Sequence, residues 1–149
     1  MAVFLAVSTD DGASWRPPVR VDSGPGRSRV FPAIAAGAPG KVAVAYYEAD
    51  RAGYPSRVVD GVWNVTVAWT GDALAEAPTF ERGTLSTTPA RVGPICPDGT
   101  TCRGNRELLD YFSLKRLPDG RAAAAWTSTN DVEGRVVNVF GVTSAPILG

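Results

Sequence analysis

Histidine is absent from the 149 residues, so no Ser-His-Asp or Cys-His nucleophilic unit can form within this chain. A zinc site is short of ligands too, because only two cysteines are present. Acid–base or nucleophilic work is left to carboxylates, arginines, tyrosines, serines and lysines. Asp110 and Tyr111 stand side by side just after Arg106. A carboxyl beside a phenol, with an arginine able to neutralise or orient it, is capable of proton transfer. Arg27 and Arg29 precede Phe31 in "RSRVF", where they could meet an anion. Glu48 and Asp50 follow Tyr46 and Tyr47. Each group also has an ordinary reading: Arg106 and Asp110 as a plain salt bridge, Tyr111 as a core residue, Glu48 and Asp50 as a solvated loop.

Cys96 and Cys102 flank Pro97-Asp98-Gly99, a turn sequence that would fold the chain back and bring the thiols together. A disulfide there would contribute about 2 kcal/mol in the chain-entropy model and would imply an oxidising compartment. Two free thiols in a cytosolic protein are the other reading. Redox or metal chemistry is not indicated, because the spacing is not Cys-x-x-Cys.

Lys plus Arg equals Asp plus Glu, 15 of each. The formal charge of zero and the lack of a basic cluster argue against nucleic-acid or anionic-membrane partners. The longest apolar run near the start, Met1 to Val7, falls far short of the ~20 residues of a membrane span and lacks the marks of a signal peptide. The chain therefore reads as cytosolic, or as the mature or partial form of an exported protein. "NVT" at Asn64 to Thr66 matches a glycosylation sequon, but it falls in an apolar strand pattern.

The elements that must position these residues are strands. Gly and Pro total 28, leaving little room for long helices. Short β runs recur between turn clusters: "AVFLAVS", "PPVRVD", "FPAIAAG", "KVAVAYYE", "WNVTVAWT", a weaker "TFERGTLS", "DYFSLKRL", "RAAAAWTS" and "VVNVFGVT", about nine in all. "VAVAYY" and "AAAAW" are apolar throughout, as in strands buried on both faces. "RAAAAWTS" could by alanine propensity be a helical turn, but the flanking Pro-Asp-Gly and Thr-Ser-Thr favour a strand.

An internal repeat is also present. "FPAIAAGAPGKVAVAYYEAD" aligns with "YFSLKRLPDGRAAAAWTSTN" at an offset of 80 residues, pairing Gly40 with Gly120 and Tyr46 with Trp126. Each copy leads into another strand. The unit predicted is a four-stranded antiparallel sheet, as in a propeller blade. The fold expected is all-β, a partial β-propeller of about two to two and a half blades. Residues 1–24 would end one blade, 31–86 form a full blade, 87–109 a Cys-containing loop, and 110–149 most of a further blade.

The turn "STDDGASW" then falls between a third and a fourth strand. Ser8, Asp10, Gly12, Ser14 and Trp15 fill every position of Ser-x-Asp-x-Gly-x-Ser-Trp. This resembles the Asp-box, or bacterial-neuraminidase repeat, of the sialidase-like β-propeller superfamily. Asp10 can accept backbone N–H groups of its own turn, Gly12 permits positive φ, and Trp15 is expected to fold back as an apolar plug between sheets. In that family the motif is structural and peripheral. A calcium loop is the weaker alternative, because the spacing departs from the EF-hand.

The segment from Val92 to Trp126 is also similar to exported bacterial proteins of this exo-α-sialidase-like group. The resemblance implies hydrolysis of terminal sugars, a carbohydrate or glycoconjugate partner, an extracytoplasmic location, no cofactor and no metal. It further implies axial functional groups: Asp110 as acid/base, Tyr111 as a sugar-stacking or nucleophilic group, and Arg29 and Arg106 on a substrate anion. The family's Arg-Ile-Pro motif is not matched, since Arg29 lies three residues before Pro32. A non-catalytic carbohydrate- or protein-binding propeller module and an inactive fragment of a longer chain are the competing readings.

Overall fold

A computed structural model describes residues 1–108, 111–132 and 135–149, with side chains for all of these except 130–132. The described residues form three antiparallel sheets and no α-helix. The first sheet pairs β1 (Phe4–Leu5) with β2 (Val19–Arg20). The second runs in chain order through β3 (Arg29–Ala36), β4 (Val42–Ala49), β5 (Val62–Thr70) and β6 (Glu81–Thr84). A short β7 (Arg91–Val92) also pairs with the first residues of β5. The third sheet has β8 (Phe112–Arg116), β9 (Ala122–Val132) and β10 (Arg135–Val142), with β9 central. No helix among the described residues is long and apolar enough to cross a membrane.

The sheets stack in chain order, and the period of two along β4 makes this possible. Val44 and Tyr46 face the first sheet, packing with Val3, Leu5 and Val21. Ala43, Ala45 and Tyr47 face the third, packing with Leu114, Ala122, Ala124 and Trp126. A strand covered on both sides has no polar face, hence its unbroken apolar run. Tyr47 also ties the layers together: its hydroxyl donates to Thr127 O at 2.8 Å and accepts from Thr127 N at 3.1 Å. Its ring meets Phe31 and Phe112 edge-on.

"RAAAAWTS" is a strand. Its alanines pair with β8 on one side and β10 on the other, and this pairing outweighs alanine's helical propensity. At its entry, Gly120 has φ +81°, and a Cβ there would lie 2.5 Å from Gly149 Cα. The turn is thus held open for the residues that close over it. The β7 strand lies within the stretch 87–109 that its sequence marks only as a loop. It fills the edge of β5 that β6 leaves uncovered, and two residues carry no readable period.

Candidate functional site

The cysteine loop is closed by the Cys96–Cys102 disulfide. It is anchored by Cys96 N donating to Asn105 O at 2.9 Å and Ile95 N donating to Pro55 O at 3.1 Å. Arg91 on β7 reaches Pro94 O, Asn105 Oδ1, Thr129 Oγ1 and, at 3.1 Å, Glu107. This nearly buried arginine organises the loop and was not singled out by sequence. Its signal would have been a cation in an otherwise apolar "PARV".

The densest charged cluster lies where the first sheet meets the second. Arg29 and Glu48 are direct cross-strand neighbours of β3 and β4. The Arg29 side chain has no exposed surface; its Nε donates to Glu48 at 2.8 Å, its Nη1 to Gly24 O and Arg27 O at 2.7 Å each, and its Nη2 to Ser23 Oγ at 2.8 Å. Asp22 lies 3.4 Å from Nη1. The guanidinium expected to contact substrate is therefore wholly occupied within the protein. Its strand carries a bulge: the register shifts between Val30 and Ala33, and Phe31 has φ +54°. A proline is tolerated there because β3 is an edge strand interrupted by that bulge.

Glu48 corrects the expectation of a solvated loop. It sits within β4, nearly buried, and also accepts from the half-exposed Arg27 at 3.2 Å. Asp50, one residue beyond β4, does remain at the surface, paired with Arg51. Burial opposes ionisation of Asp22, but hydrogen bonds from Val3 N, Arg20 and Gly24 N, with the charge of Arg29, outweigh it and hold the carboxyl below its ordinary value. Burial pushes the Tyr46 phenol up to about 12, with Glu48 adding to the rise. The Tyr46 hydroxyl is buried and has no hydrogen-bond partner among the described residues.

Arg82 on β6 closes the cluster by donating to Val21 O at 2.7 Å and Asp22 O at 3.0 Å. A shallow cleft of about 270 Å³ opens here, lined by Arg27, Glu48, Thr66, Arg82 and Thr84 among others. Among the residues lining it, Arg27 and Arg82 are cationic and Glu48 is anionic, a net cationic setting suited to anions.

The other expected site residues lie apart. Tyr111 is 70% exposed rather than core. It lines a separate cleft of about 580 Å³ with Ser113, Trp126 and Asn138. Arg106 is half-buried. Asp110 lies outside the described residues, so its pairing with Arg106 does too. No hydrogen bond, ion pair or shared cleft among the described residues joins Arg29 to Tyr111 or Arg106. No cluster of three His, Cys, Asp or Glu among them is placed to hold a metal.

The opening turn is a self-contained network at the surface. Asp10 Oδ1 accepts from Ser14 N at 2.9 Å and Ser8 Oγ at 2.8 Å, and Oδ2 accepts from Ser14 Oγ at 2.6 Å. Ser8 Oγ accepts from Gly12 N at 2.8 Å, and Gly12 has φ +87°. The hydrogen bonds to Ser14 and Ser8 hold the Asp10 carboxyl down to about 2. Trp15 does not plug a gap between sheets; it is 64% exposed. Among the described residues the first sheet has two strands, and the ring lies largely open beside their turn. Comparison of the chain with family models, curated proteins and solved structures found no match.

Proposed function

We propose that this chain is part of a sialidase-like Asp-box β-propeller, and that its cationic cleft binds the carboxylate of a terminal acidic sugar. The observation that carries this reading is the cleft itself. Arg27 offers a half-exposed guanidinium at its mouth, and Glu48, Thr66 and Thr84 supply further polar groups around a small opening. Buried Arg29 fixes Glu48 beneath it. Three sheets stacked in chain order, two of them related by an 80-residue repeat, and an Asp10-centred turn between paired strands support the propeller reading. The disulfide fits a secreted protein.

In the glycosidase reading, bond cleavage falls to Asp110 as acid/base with Tyr111 as nucleophile or stacking group. Binding without cleavage is the alternative, and a specific observation favours it for the described residues. The carboxyls with a perturbed proton affinity, Asp10, Asp22, Asp50, Asp72 and Asp119, are all held low. A general acid working near neutral pH needs the opposite shift.

The test is a titration of the purified protein with a sialic acid monosaccharide and with its carboxamide, followed by amide chemical shifts. The acid is expected to shift Arg27, Thr66 and Gly83 and the amide to bind far more weakly. Arg27→Gln is expected to weaken the acid by about tenfold, the worth of one charge-assisted hydrogen bond. Equal binding of acid and amide, or binding of neither, would overturn the reading. Terminal-sugar release that is lost in Asp110→Asn separates enzyme from binder.

A further inference from the structure

The connection from β5 to β6 repeats the head of the opening turn. Thr70 Oγ1 donates to Asp72 Oδ1 and accepts from Asp72 N at 3.1 Å, as Ser8 Oγ does with Asp10. Asp72 Oδ1 then accepts from Thr79 N at 3.2 Å, as Asp10 Oδ1 accepts from Ser14 N. An aromatic residue follows in each, Phe80 and Trp15, and Phe80 packs against the core between the first two sheets. The two turns differ in size. From the carboxylate to the N–H that closes on it is four residues in the first and seven in the second. The side-chain closure holds both ends of the longer turn, and its middle, Leu74 to Glu76, lies at the surface.

This longer turn meets Arg16, the residue after Trp15. Arg16 Nη1 donates to Leu74 O at 2.6 Å and to Ala75 O at 3.5 Å. Between the two turns opens a cavity of about 620 Å³, within the range of small-molecule sites, about 300–1,000 Å³. Leu5, Val19, Ala73, Pro18 and Pro78 make its lining mostly apolar, and Arg16 and Glu76 are its charged groups. Leu5 and Ala73 belong to the core, so the contact between the first and second sheets fixes the floor. Both walls are segments of the described chain. No lining residue is shared with the cationic cleft or with the cleft at Tyr111.

We infer that this cavity binds a small apolar monocarboxylate, with its carboxylate on Arg16. Among the described residues only Nη1 of Arg16 is engaged. That leaves the Nε–Nη2 edge of the guanidinium, a fork that matches the two oxygens of a carboxylate. The bonds to Leu74 O and Ala75 O tie the side chain to the facing turn, so less freedom is lost when a ligand binds. The lining takes an aryl or alkyl group out of water. Pro18 on one side and Pro78 on the other restrict the backbone, so the walls are largely set before a ligand arrives. One cation suits one negative charge, and Glu76 on the same lining disfavours a second.

Titration of the intact chain with 3-phenylpropionate, followed by amide chemical shifts, tests this. The acid is expected to shift Val7, Val19 and Ala75 with a Kd of about 1 mM, the affinity that a ligand of this size supplies at an ordinary efficiency per atom. Its carboxamide should bind about tenfold more weakly, and so should the acid to Arg16→Gln, since each lacks one charge of the pair. Ala75→Trp, at an exposed position, should fill the cavity and abolish the shifts in a protein that stays folded. A sialic acid monosaccharide, too polar for this lining, should not displace the probe, which separates this site from the cationic cleft. Equal binding of acid and amide, tighter binding of 3-phenylpropylamine than of the acid, or displacement by the sialic acid would each overturn the inference. So would an unchanged Kd in either variant, or the absence of shifts in the wild type.

Discussion

Replacing Glu48 by alanine probes the cluster beneath the cleft, and its cost can be worked from the geometry. Two ion pairs are lost. The one to Arg27 at 3.2 Å involves a half-exposed guanidinium and is worth about 0–1 kcal/mol. The one to Arg29 at 2.8 Å involves a side chain with no exposed surface. Removing one partner of a buried pair costs about 3–5 kcal/mol, because the remaining charge stays desolvated. Arg29 keeps Asp22 at 3.4 Å and its bonds to Gly24 O, Arg27 O and Ser23 Oγ. The loss should therefore fall at the low end, about 3 kcal/mol, or roughly 6–12 °C in Tm for a domain of this size. Urea unfolding should show a lower midpoint at unchanged slope. Arg51→Ala, which breaks a surface pair with Asp50, serves as the comparison and should cost less than about 1 kcal/mol. The double variant Arg29→Met with Glu48→Leu should be less destabilised than the sum of its singles, since both charges leave together. A Glu48→Ala loss no greater than that of Arg51→Ala, or strict additivity in the cycle, would refute the reasoning.

Tyr46→Phe should leave stability unchanged or raise it by up to about 1 kcal/mol, because the hydroxyl it removes is buried without a partner. Its phenol, raised to about 12 in the folded chain, contributes stability that is full below the unfolded value near 10 and lost as pH rises toward 12. Denaturation at alkaline pH should therefore be shallower in Tyr46→Phe. Asp10 runs the other way: lowered to about 2, it contributes stability present above the unfolded value near 4 and lost as pH falls toward 2. Asp10→Asn should flatten that acid limb, and a carboxyl titration by NMR with a midpoint near 4 would contradict the hydrogen-bond network of the turn.

Much of the sheet arrangement was legible because burial imposes period. "KVAVAYYE" must be covered on both faces, and it is. Asp10 and Gly12 announced their turn because few other residues accept those bonds or that φ. The candidate site was less legible, for a reason visible in single residues. Arg29 and Glu48 look like solvent-facing charges by type, and only the cross-strand register of β3 and β4 brings them together under cover. Trp15 looked like a plug because a large ring is expected to bury, but burial depends on which layers flank its sheet, and among the described residues none covers it. β7 was invisible because its pairing is decided by which part of β5 remains open.

The two repeat copies meet each other, and this limits what each can become. Tyr47 and Thr127 hold corresponding positions at the 80-residue offset, yet across the interface they are hydrogen-bonded partners. A tyrosine at 127 would carry its ring to the outer face of the third sheet, while a threonine at 47 could not span the gap to the β9 backbone. The stack therefore gains rigidity from differences between its copies rather than from their likeness. The same asymmetry puts a buried Val67 opposite β6 in the second sheet and an exposed Phe140 at the matching place in the third.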